Sequence, residues 1–105
     1  MYAALLSSVL SDWVDELQGE ALIDFAQVCR AQMLNSPGGT AVVALAAELS
    51  YDRALIKVCE AHGIYTTPQR FSQPRAERLR LERALFEVGI DLEAIAEAEP
   101  EDQDA

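Results

Sequence analysis

The sequence predicts an all-α protein, a compact bundle of four main helices plus a short C-terminal helix. Three observations predict it. Apolar residues recur at helical spacing through four long stretches. Glycine and proline fall at the borders of those stretches. No stretch alternates apolar and polar residues long enough to compete as a strand.

Residues 2–17 read as the first helix. Leu6, Leu10, Trp13 and Leu17 form its apolar stripe, and Asp12, Asp15 and Glu16 lie off it. Gly19 stops the helix, because glycine accepts a left-handed backbone. Residues 20–34 follow after a very short join, so the two helices form a hairpin or a sharp corner. Leu22, Phe25, Ala26, Cys29 and Met33 make the second stripe. Asn35 to Gly39 is the clearest loop, with Thr40 a good N-cap after it. It lacks the lysine of a phosphate-binding loop and no strand precedes it, so it reads as an interhelix turn.

Residues 41–62 read as one long helix, apolar on two sides. Val42, Leu45, Leu49 and Ile56 make one side; Val43, Ala47, Tyr51, Ala54, Leu55 and Val58 make the other. Such a helix is packed on both sides and is therefore central. It ends at His62-Gly63-Ile64, where Gly63 suits the left-handed position and Ile64 the apolar contact after it. Residues 64–73 read as irregular. Their large apolar residues, Ile64, Tyr65 and Phe71, either pin the segment to the core or face outward for recognition. Residues 74–88 form a strong helix with Pro74 near its first position and Leu81, Ala84, Leu85 and Val88 as its core stripe. Gly89-Ile90 repeats the earlier stop. A short helix to about Ala98 follows, with Leu92 and Ile95 on its apolar side. The domain runs from 1 to 99, and residues 100–105 read as a disordered acidic tail.

The chain has 105 residues and a net charge of −10. A polyanion-binding surface needs basic groups, so this balance argues against nucleic acid and against an anionic membrane. The charge is uneven. Residues 63–90 hold five of the eight basic residues, and residues 91–105 hold seven acids and no base. No apolar run approaches the ~20 residues of a membrane span, and the first residues lack the positive start of a signal peptide. Cys29 and Cys59 make no disulfide framework and read as buried reduced thiols, which points to the cytoplasm. Seven arginines against one lysine, with many alanines, suit a GC-rich bacterial genome.

No motif carries catalysis: there is one histidine, His62, and no Gly-x-Ser-x-Gly. No cofactor is expected. Ala44 to Tyr51 resembles the opening of a helix-turn-helix, but the turn glycine is missing. The sharpest feature is the helix at 74–88. Leu79 and Phe86, seven apart, lie opposite the core stripe and are flanked by Arg75, Glu82 and Arg83. Such a seam suits a partner helix, unless the acidic segment after Asp91 folds back over it. The candidate binding residues are Tyr65, Arg70, Phe71, Arg75, Leu79, Arg83 and Phe86. The expected occupant is a protein partner or a second copy of the chain. The expected function is a small non-enzymatic interaction module: an adaptor, regulator or assembly subunit. Two alternatives stand beside it. One is an acidic inhibitor that covers a basic, nucleic-acid-binding surface of a target. The other is an all-α hydrolase using a divalent metal held by Asp12, Asp15, Glu48 and Asp52.

Overall fold

The computed structural model describes residues 2–12, 18–34 and 41–92. They form four α-helices: α1 (Tyr2–Ser11), α2 (Gly19–Leu34), α3 (Ala41–Ala61) and α4 (Pro74–Glu87). A single 3-10 turn, Pro68–Ser72, precedes α4. There is no strand among the described residues. The all-α reading therefore holds. The expected helical residues Trp13 to Leu17 and the short helix expected after Asp91 lie outside the described residues, as does the 35–40 turn.

α3 is the axis. α1, α2 and α4 all pack against it, and α1 and α4 also meet the 3-10 turn. Between Tyr51 and Cys59 only Arg53 and Lys57 escape full burial. A helix buried on nearly its whole circumference needs neighbours on several sides, as its two apolar faces predict. The first half of α3 departs from that expectation: Val42 and Val43 are exposed. Side-chain bonds from α1 and α4 reach α3 at Glu48, Tyr51 and Asp52.

α2 buries Leu22, Ala26 and Cys29, with Phe25 and Met33 half-buried, which is the predicted stripe. α1 buries Leu6 fully and Tyr2, Val9 and Leu10 partly. The stretch expected to be irregular contains ordered structure. Pro68 fixes the backbone at the start of the 3-10 turn, and the Arg70 N–H donates to the Thr67 carbonyl at 3.0 Å.

Both Gly-Ile stops take one geometry. Gly63 has φ +76°, its N–H donates to Glu60 O, and Ile64 N–H donates to Cys59 O at 2.9 Å. Gly89 has φ +93°, its N–H donates to Phe86 O, and Ile90 N–H donates to Leu85 O at 2.9 Å. Each is a Schellman motif that satisfies carbonyls the helix would otherwise leave open. The second one corrects the core stripe of α4. Leu81 and Leu85 are fully buried, but Val88 is 56% exposed. Val88 sits where the helix ends; the chain then reverses at Gly89, and Ile90 enters the core instead. Cys29 and Cys59 are free and buried. Burial pushes the Cys59 thiol up to about 12 and raises that of Cys29.

Candidate interaction surface

α4 is held to the bundle by polar side chains as well as by leucines. The Arg78 guanidinium grips the fully buried Asp52 carboxylate with two bonds, Nε–Oδ1 at 2.6 Å and Nη2–Oδ2 at 2.7 Å. Such a paired fork is the strong form of an arginine–carboxylate contact. The Tyr2 hydroxyl donates to the same carboxylate. Burial pushes the Asp52 carboxyl upward, and the bonds from Arg78 and Tyr2 pull against that. Burial also disfavours a charged Arg78, but the Asp52 bonds outweigh it and hold the guanidinium above its ordinary pKa. Glu48, half-exposed, closes the group at 3.5 Å from Arg78 Nη2.

One turn further along α4, Glu82 accepts from the buried Tyr51 hydroxyl and from Arg30 Nε at 3.0 Å. Burial first, and then the Glu82 charge, raise the Tyr51 pKa. Neighbouring residues of α3, Tyr51 and Asp52, thus engage residues four apart on α4. At the other flank, the Thr66 hydroxyl donates to Glu77 at 2.7 Å, and Arg80 Nη2 meets the same carboxylate at 2.6 Å. The Arg80 bond keeps Glu77 below the usual carboxylate range.

The opposite face of α4 is apolar and open. Leu79 is 57% exposed and Phe86 is 65% exposed. Both border a groove of about 290 Å³. Leu79, Glu82, Arg83 and Phe86 form its α4 wall; Ile90, Asp91 and Leu92 form the facing wall. Gln27 of α2 holds that second wall by donating to the Asp91 carbonyl at 2.9 Å. Arg75 and Arg83 are exposed on either side of the apolar pair. The Arg80 guanidinium joins this face to the loop before it, donating to the Tyr65 carbonyl at 3.3 Å. Tyr65 is 68% exposed, and the Arg70 guanidinium stacks on its ring at 5.5 Å.

Of the seven residues expected at the surface, six are there: Tyr65, Arg70, Arg75, Leu79, Arg83 and Phe86. Phe71 is not. It is fully buried, because the 3-10 turn directs it inward against the bundle. Phe71 pins the segment, and Tyr65 is left outside. Of the four carboxylates weighed as metal ligands, Glu48 and Asp52 both meet the Arg78 guanidinium. Asp12 is exposed past the end of α1, and Asp15 lies outside the described residues. Asp52 holds a guanidinium where a cation would sit. Among the described residues no group of three or more ligating side chains occurs.

Sequence reasoning reached the end position of His62, whose Nδ1 lies 2.9 Å from Val58 O. It missed the buried partners of Arg78 and Glu82. The available signal was Tyr51-Asp52 inside an apolar run, opposite an Arg78-x-x-x-Glu82 spacing. No helix among the described residues is long and apolar enough to cross a membrane. The chain matches no protein-family model, no curated protein and no solved structure.

Proposed function

We propose that this chain is a non-enzymatic interaction module of the cytoplasm that docks a protein segment on the outer face of α4. One observation carries the reading. Leu79 and Phe86 stand a heptad apart and more than half exposed, while Leu81 and Leu85 on the opposite face are fully buried. A helix that is apolar on both faces has a second surface to cover. The chemistry of the occupant follows from the rim. Arg75 and Arg83 are exposed beside the apolar pair, on a chain whose net charge is −10. An apolar segment with acidic flanks is complementary to it. Tyrosine, phenylalanine and arginine are also the side chains that anchor interfaces best. The two free, buried thiols support a reducing compartment.

The test compares the protein with its Phe86→Asp variant. Both are run by light scattering after size-exclusion chromatography, and both are immobilised against the same cytoplasmic extract. Phe86 lies mostly in solvent, so the variant should keep its helical circular dichroism and its stability to within about 0.5 kcal/mol. The reading expects a second copy or a bound protein that the parent retains and the variant loses at least about tenfold. Equal retention by both, or association by neither, overturns it. Unfolding of the variant would return Phe86 to the core.

A further inference from the structure

We propose that residues 93–105 of this chain bind in cis across the groove and the outer face of α4, so that a partner docks by displacing them. This rests on the docking surface described above and adds its regulation.

Three observations carry it. The first is continuity. The chain reverses at Gly89, and Leu92, the last described residue, is buried in the groove wall that faces Leu79 and Phe86. The chain therefore leaves Leu92 from the wall of the groove in question. The second is charge. Residues 93–105 carry Glu93, Glu97, Glu99, Glu101, Asp102 and Asp104 without a single base. The face beside them presents Arg75 and Arg83. The third is reach and pattern. From Phe86 to Arg75 is eleven residues of helix, about 17 Å. Thirteen residues span about 20 Å as a helix and about 43 Å extended. Ile95 is the large apolar side chain of the segment, three residues beyond Leu92, flanked by Glu93 and Glu97. It offers the apolar contact with acidic flanks that the face calls for.

The experiment uses the full chain with Arg83→Lys, which keeps the charge and supplies an amine. Carbodiimide then joins that amine directly to any carboxylate in contact with it, and joined peptides are read by mass spectrometry from the monomer band. Lys57, on α3, is the internal control. The proposal expects position 83 joined to carboxylates of 93–105 within the monomer, at least about tenfold over Lys57. Ile95→Asp, which raises the acidity of the segment while removing its apolar contact, should lower that yield about tenfold. High salt should lower it as well, since the rim charges are screened within about 3 Å at 1 M. Joined peptides found only in a dimer band would assign the segment to a second copy and overturn the proposal. Equal yield at Lys57, or an unchanged yield in Ile95→Asp, would also overturn it. None of these outcomes touches the docking reading, which fails only on the Phe86→Asp comparison.

Discussion

Asp52 shows how one residue changes meaning between sequence and structure. As a letter four places after Glu48, it suggests a carboxylate pair on a helix face. In the folded chain it is fully buried and bound by Arg78 and Tyr2. A buried charge that loses its partner is costly, so Arg78→Ala should destabilise the protein by about 3–5 kcal/mol in urea titration. Replacing both partners with apolar residues, Asp52→Leu with Arg78→Met, should recover most of that loss. A loss below about 1 kcal/mol for Arg78→Ala would mean that water reaches the pair. The pairing was illegible beforehand because hydropathy patterns read Arg and Asp as surface. Phe71 misled in the opposite way. Its neighbours Arg70 and Ser72 are polar, and Pro68 marks a turn without marking which side chain that turn points inward.

At the level of elements, the long helices were legible because period and punctuation agree. The α2 stripe and the α4 leucines were named correctly, and the two Gly-Ile stops gave both helix ends. Those stops make a prediction. Gly63 and Gly89 have positive φ, yet a Cβ on either would meet nothing within 4 Å. Gly63→Ala and Gly89→Ala should therefore each cost roughly 1–2 kcal/mol from backbone strain alone. Asparagine, which tolerates this conformation better, should cost less at both positions. If alanine and asparagine behave alike in thermal melts, the left-handed turns are not what ends these helices. Val88 was misread because a helical wheel has no end. It continues the stripe past the residue where the chain turns away.

At the level of the whole molecule, the acidic balance and the basic stretch within it were legible, and the fold sets exposed Arg75 and Arg83 beside one apolar pair. The buried acids and thiols also set a pH limit. Burial raises Cys59 to about 12 from an ordinary value near 9, and raises Cys29, Tyr51 and Tyr2 as well. A raised folded pKa means that the unfolded chain releases its proton first. The stability these groups contribute is complete below about pH 9 and falls as pH climbs toward 12, by up to about 1.4 kcal/mol per unit for each group. The urea midpoint should drop across that window, and Cys59→Ala should make the drop shallower. Parallel curves for parent and variant would rule this out. The polar clamps on α4 have one more effect. If α4 rolled by half a turn about its own axis, Leu79 and Phe86 would go inside and Leu81 and Leu85 would come out. Apolar area barely distinguishes the two orientations. The ion pairs do, because the rolled helix strands Asp52 and Tyr51 without Arg78 and Glu82. They act as a rotational lock that chooses which side of α4 the protein shows to others. A variant with both Asp52 and Arg78 made apolar would then stay folded with that lock weakened, held by the Glu82 bonds to Tyr51 and Arg30 alone.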